Sequence, residues 1–248
     1  MCFDLDSGRI LDNLKAVARH PQLLTHFHEK KAQLSRRHIL IELRNAQAIY
    51  DAKLTCDDLV DVVELYGKSI CYNNSYLYAF CRFIKPDVVV ETGVHYGSSS
   101  AFMLQALRDN HSGRLYSIDL PDTKYATENG KTHHHAIKPT EIGSYVLPEL
   151  HDRWTLIIGD ARKKLPELLA TLSSIDIFHH DSMHTYDHMY FEYRTAWPKI
   201  RNGGVLMSHD VSWNNAFADF CSEKNVQPHI AGLIGFAFKD KVDSASST

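Results

Sequence analysis

The chain has 248 residues, 44% of them hydrophobic and 23% charged, with a formal net charge of −3. That length buries a sizeable core and suits one main domain, and the charge balance offers no basic surface for a polyanion, so nucleic acid is not an expected partner. The five cysteines, Cys2, Cys56, Cys71, Cys81 and Cys221, are scattered and never in CxxC spacing. This argues against a disulfide framework or a thiolate zinc site and makes a reducing cytoplasm the expected compartment. The opening MCFDLDSGRI lacks the basic flank and apolar run of a signal peptide, and no apolar run reaches the roughly 18 residues that span a bilayer, so no membrane is expected as a partner.

Residues 1–84 are predicted as a helical N-terminal segment, because apolar positions such as Ile39, Leu40, Leu43, Ala46 and Ile49 recur at three- and four-residue spacing. From 85 to 240 the pattern changes to short β-branched runs, DVVVE, RLYSID, WTLIIGD, IDIFHHD and GGVLMSHD, separated by predicted helices over 99–107, 162–172, 185–197 and 216–224. Continuous apolar strands alternating with helices indicate an α/β domain with a doubly wound, mostly parallel sheet covered on both faces. PHIAGLI and GFAFK are candidate closing strands. The segment 121–153 is the one long irregular piece, expected to cap an active site, with THHHAIKP as a mobile part of it. Gly203 and Gly204 in IRNGGVL are expected to end a helix and open the next strand. The polar tail 241–248 is expected to fray.

Chemistry concentrates at the predicted strand ends. In VVVETGVHYGSSS the strand ends at Glu91, Gly93 and Gly97 allow a sharp turn, and Ser98 or Ser99 is placed to cap the next helix. Ligands of open α/β sheets bind just beyond such carboxyl ends. The spacing is GxxxG and not the GxGxxG that cradles a pyrophosphate, and the acidic Glu91 suits a ligand carrying an amine. Asp119, at the end of LYSID, can accept both hydroxyls of a ribose, and Asp160 in LIIGDAR closes the strand after it.

ETGVHYG, SID and GDA, in this order on successive strand ends, resemble the Rossmann-like class I S-adenosylmethionine-dependent methyltransferases, over residues 85–239. The resemblance implies S-adenosylmethionine as cofactor, with Glu91 and Gly93 beside its methionine moiety, Asp119 on the ribose, and Asp160 with Ala161 bordering the adenine. Gly97 and Ser98 complete the expected cofactor-binding set.

The stretch HHDSMHTYDH at 179–188 places Asp181 at the same sheet edge, and LMSHD brings His209 and Asp210 there from the neighbouring strand. These side chains can converge on one cation, with water in the remaining positions. Packing or surface roles suit His179, His180 and His188, since only one face of a strand end looks at the site, and Met189 and Tyr190 suit the apolar stripe of the following helix. Serine hydrolysis and HExxH or HxHxDH zinc chemistry lack their motifs.

The run from His180 to Phe217 resembles the methyltransferase-24 type, and is similar to metal-dependent O-methyltransferases of natural-product sugars. The resemblance implies Asp181 and Asp210 as magnesium ligands and His184 as general base. It also marks His209 as a departure, since an acidic residue usually stands there. Imidazole suits zinc, iron or manganese better than magnesium, so magnesium or manganese are both candidate ions.

The expected activity is O-methylation of a hydroxyl on a small molecule or sugar, assisted by a divalent metal. A cofactor-binding protein without catalysis, and a metal-independent N- or O-methyltransferase, are the alternatives. A small-molecule acceptor is the expected partner, and a homo-oligomer is left open.

Overall fold

The computed structural model describes residues 74–120, 123–126, 132–135 and 137–239. Most of the predicted N-terminal helical segment and the 241–248 tail lie outside these residues, apart from one helix, α1 (Ser75–Ile84).

The strands are β1 (Val88–Thr92), β2 (Arg114–Asp119), β3 (Thr123–Ala126), β4 (Thr132–His135), β5 (Trp154–Ile158), β6 (Ile175–His180), β7 (Ile200–Ser208), β8 (His229–Ala231) and β9 (Ile234–Phe238). The further helices are α2 (Ser98–Asp109), α3 (Ala161–Thr171), α4 (Tyr186–Ala196) and α5 (Ala216–Lys224). Seven strands form one sheet in the order β5-β2-β1-β6-β7-β9-β8. β5, β2, β1, β6 and β7 run parallel, and β9 is antiparallel to both β7 and β8. The expected doubly wound, mostly parallel architecture is therefore observed, with PHIAGLI and GFAFK supplying the closing strands.

Both faces of this sheet are covered, which is why its strands read as unbroken apolar runs. Side chains alternate between the two faces. Val89, Ile177, Val205, Met207 and Phe236 pack with α1 and α2. Val90, Phe178, Leu206 and Ala237 pack with α3, α4 and α5. Fully burying one such side chain contributes about 1.5–3 kcal/mol, so the two cores together fix the strand register.

Three expectations are corrected. The insertion is not wholly irregular: β3 and β4 pair as an antiparallel hairpin, so the THHH expected in a mobile loop forms a strand. Gly203 and Gly204 lie inside β7, the preceding helix having already given way to a 3₁₀ turn at Trp197–Lys199. They sit at a register shift between β6 and β7, where Gly204 passes so close to the Asp176 carbonyl that a Cβ would lie 2.6 Å from it. Ser98 and Ser99 do not cap α2; its N-cap is Gly97, in a left-handed conformation at φ 86°. Among the described residues no helix is long and apolar enough to cross a membrane.

Candidate active site

β1 is the switch point of the sheet, with β2 on one side and β6 on the other. The register pairs Glu91 with Ser117 and with His179, so the three strands end at one level. Two backbone hydrogen bonds continue past the strand ends, from Gly93 N to the Ile118 carbonyl (2.9 Å) and from Asp181 N to the Thr92 carbonyl (2.8 Å). Gly93, at φ 83°, passes so close to Asp181 that a Cβ would lie 2.0 Å from its carbonyl oxygen. Only glycine fits, and the β1 turn is thereby joined to the β6 exit.

Asp119 organises that turn. Its Oδ2 accepts from Val94 N (2.9 Å) and His95 N (2.6 Å), leaving Oδ1 for a ligand. Asp160 caps α3 by accepting from Arg162 N at 2.9 Å. The end of the 121–153 segment docks on the same turn, with Gly143 N donating to His95 and Tyr145 N to Tyr96, and the rings of Tyr96 and Tyr145 stack at 5.1 Å.

A cavity of about 550 Å³ lies along this edge. Gly93, Ser98, Asp119, Asp160, Ala161, Asp181, His184, His209 and Asp210 all line it. Gly97 is not at its wall: it lets the turn pack on Gly143, whose Cα a Cβ at Gly97 would approach to 2.8 Å. Glu91 is likewise absent from the wall. It is fully buried, with its carboxylate accepting from Ser99, from Ser100 (2.6 Å) and from Ser117 (2.8 Å). Glu91, expected beside a ligand's amine, is thus held beneath the turn by three serine hydroxyls.

At the other end of the cavity, β7 stops at Ser208 and Asp210 takes a left-handed φ of 54°. Successive strand residues point to opposite faces; this turn lets both His209 and Asp210 face the cavity. His184 Nε2 lies 3.5 Å from Asp181 Oδ1 and 3.7 Å from Asp210 Oδ2. His209 Nδ1 lies 3.5 Å from Asp181 Oδ1 and 3.3 Å from Asp210 Oδ1. Asp181, His184 and His209 bring one donor atom each within 4.8 Å of one another. Both imidazole nitrogens are buried without a hydrogen bond, so the cluster has donor capacity to spare and fits a cation. Burial opposes ionisation of Asp181, but His184, His209 and His179 outweigh it and hold the carboxyl at about 2. Burial also disfavours the His209 cation, yet Asp210 and Asp181 raise its pKa above the ordinary value.

Beneath the cluster stands Glu192 of α4, a residue with no obvious signal in the sequence beyond its i,i+4 spacing from His188. Its carboxylate accepts from Thr92 Oγ1 (2.5 Å), His180 Nδ1 (2.6 Å), Ser182 Oγ (2.8 Å) and His188 Nε2 (2.8 Å). His180 and His188 are thus buried, as expected, but as polar ties between β6 and α4. Met189 is fully buried; Tyr190 is only partly so, and its hydroxyl bonds Glu223. Trp213, 51% exposed, stands at the cavity wall with its ring 5.3 Å from that of His184.

Residues 90–211, which include Gly93, Asp119, Asp160, Asp181, His184, His209 and Asp210, match the family model of a methyltransferase domain of the methyltransferase-24 type. That span, just under half of the chain, is similar to a methyltransferase domain. No curated protein matches the sequence. In fold, the chain is similar to a proposed O-methyltransferase from Klebsiella pneumoniae, at 14% identity and TM-score 0.51, covering 80% of this chain and 97% of the other. The SAH-bound methyltransferase PaMTH1 of Podospora anserina superposes with TM-score 0.50 at 13% identity, covering 81% and 88% of the two chains. The O-methyltransferase TomG of Streptomyces achromogenes, in complex with SAM and involved in tomaymycin synthesis, gives TM-score 0.50 at 15% identity, covering 76% and 92%.

Proposed function

We propose that the protein transfers the methyl group of S-adenosylmethionine to a hydroxyl oxygen of a small acceptor, a sugar or a similar hydroxylated molecule, with help from a divalent cation. The observation that carries this reading is the single cavity that joins the Asp119 and Asp160 strand ends to the Asp181, His184, His209 and Asp210 cluster. The reading is supported by Asp119 Oδ1 at the cavity wall, which could accept from a ribose hydroxyl, by the bare backbone of Gly93 at the β1 turn, and by Ile118, Leu120 and Ala161, which offer apolar walls for a purine. When bound, the cofactor would supply an electrophilic methyl on a sulfonium, and Asp181, Asp210 and His209 would hold a cation that would lower the pKa of an acceptor hydroxyl by several units.

His184 has two roles available through one atom. As a base, its Nε2 takes the hydroxyl proton and the flanking carboxylates of Asp181 and Asp210 stabilise the resulting imidazolium; this also serves a metal-independent transferase. As a ligand, that nitrogen is occupied. In either case His184→Ala should lower turnover about 10²- to 10⁴-fold and leave cofactor affinity nearly intact.

Thermal unfolding with S-adenosylmethionine, its demethylated product, chelator and divalent ions tests the reading. Cofactor at about 100 times its dissociation constant should add about 2.7 kcal/mol of stability, and a hydroxylated acceptor should release demethylated cofactor. Stabilisation without turnover on any hydroxylated acceptor would favour a cofactor-binding protein. Indifference to the cofactor would sink both.

A further inference from the structure

We infer that His184 is a metal ligand, and that Asp181, His184 and His209 form a two-imidazole, one-carboxylate site for a first-row transition ion such as Mn²⁺, Fe²⁺, Co²⁺ or Zn²⁺ in preference to Mg²⁺. The inference rests on reading this cluster as a cation site, and it names the ion's class and the role of His184.

Four observations converge. Within the proposed set, His184 Nε2 and His209 Nδ1 each lie 3.5 Å from Asp181 Oδ1. Those are long for hydrogen bonds, and two donors each about 2.1 Å from one ion at a tetrahedral angle lie about 3.4 Å apart. The His184 side chain is only 10% exposed, and its Nε2 and the Nδ1 of His209 are both buried with no hydrogen-bond partner. Two ring nitrogens turned to a common point and bound to one ion account for that. Asp181 and Asp210 add two carboxylates beside the two imidazoles, a donor set whose formal charge balances a divalent ion. Finally, the donor types decide the ion: Mg²⁺ demands hard oxygen ligands in an octahedron, whereas imidazole suits Mn, Fe, Co and Zn, and two histidines with one carboxylate leave positions open for substrate oxygens.

The scaffold holds His184 for this role. Its carbonyl accepts from Asn214 Nδ2 at 3.1 Å, and its ring lies against those of His180 (5.4 Å) and Trp213 (5.3 Å).

The test is direct metal binding to the chelator-stripped full-length protein, with Mg²⁺, Mn²⁺, Co²⁺ and Zn²⁺ titrated separately and followed by calorimetry and by the visible absorption of Co²⁺. Mn²⁺, Co²⁺ and Zn²⁺ should each bind at least about tenfold more tightly than Mg²⁺. His184→Ala and His209→Ala should each weaken Co²⁺ binding about 10²-fold and change its spectrum, while a His133, His134 and His135 triple alanine variant keeps both. Unfolding of the metal-free variants controls for folding, with His184→Gln as a substitute should the alanine form fail to fold. Equal or tighter Mg²⁺ binding, an unchanged Co²⁺ spectrum in the folded His184 variant, or loss of binding in the triple variant would each overturn the inference. Absence of all ion binding, with cofactor stabilisation intact, would also overturn it and leave the transferase reading standing. Selective ion binding without any cofactor effect would support it and remove the transferase reading instead.

Discussion

Two carboxylates on neighbouring strand ends do different work because one is buried and the other is not. Glu91 is fully buried under three serine hydroxyls, so its removal strands three donors, each costing about 1–3 kcal/mol. Glu91→Ala should therefore lower unfolding free energy by about 3 kcal/mol or more in urea titrations, with Glu91→Gln milder. Should the alanine variant instead keep its stability and lose cofactor affinity, Glu91 would be a ligand contact after all. Asp119 is half-exposed at the cavity, with one oxygen committed to Val94 and His95 and the other available. Hydrogen bonds to a charged group contribute about 1.5–3 kcal/mol, so Asp119→Ala should weaken binding of the demethylated cofactor about 10²-fold by calorimetry.

At the scale of elements, the β1–α2 turn and the β6 exit are one unit. Gly93 and Asp181 touch through backbone alone, and any Cβ at Gly93 would meet the Asp181 carbonyl at 2.0 Å with φ already at 83°. Gly93→Ala should destabilise by more than about 2 kcal/mol and disturb cofactor and metal binding together. Gly203 makes the contrast: its φ is 75°, but an added Cβ meets only the tip of the Arg201 side chain at 3.4 Å. Gly203→Ala should cost only about 1 kcal/mol and spare both ligands. Equal losses in the two variants would show that backbone conformation, not the contact with Asp181, is what matters at Gly93.

For the molecule as a whole, Glu192 ties the central sheet to the helical layer on one face. Burial opposes its ionisation, but His180 and His188 outweigh that and put its pKa well below the usual carboxylate range. Burial lowers the pKa of His180, with Glu192 only partly offsetting it. Both folded values lie below the unfolded ones, about 4.3 for Glu and 6.5 for His. The stability they contribute is thus full at neutral pH and lost as pH falls, first below about 6.5 and more steeply below about 4.3. Urea unfolding from pH 7 to pH 4 should show this decline, and Glu192→Gln should be less stable at pH 7 with a shallower dependence. A variant with the wild-type slope would place the acid sensitivity elsewhere.

The sequence by itself determined the architecture and the edge at which the chemistry gathers. Unbroken apolar strands alternating with helices admit few arrangements other than a parallel sheet covered on both faces, and residues closing such strands meet at one edge. Asp119, Asp160, Asp181, His184, His209 and Asp210 were legible on that basis, because period and order along the chain are local properties. Which way each side chain faces is not local. Glu91 is hidden because Ser99, Ser100 and Ser117 reach it from a helix and a neighbouring strand, and Gly97 serves packing because Gly143 arrives from 46 residues away. The two imidazoles point at Asp181 because a left-handed turn at Asp210 and the β6–β7 register bring them there. Those facts belong to contacts between distant segments, which only the packed structure decides.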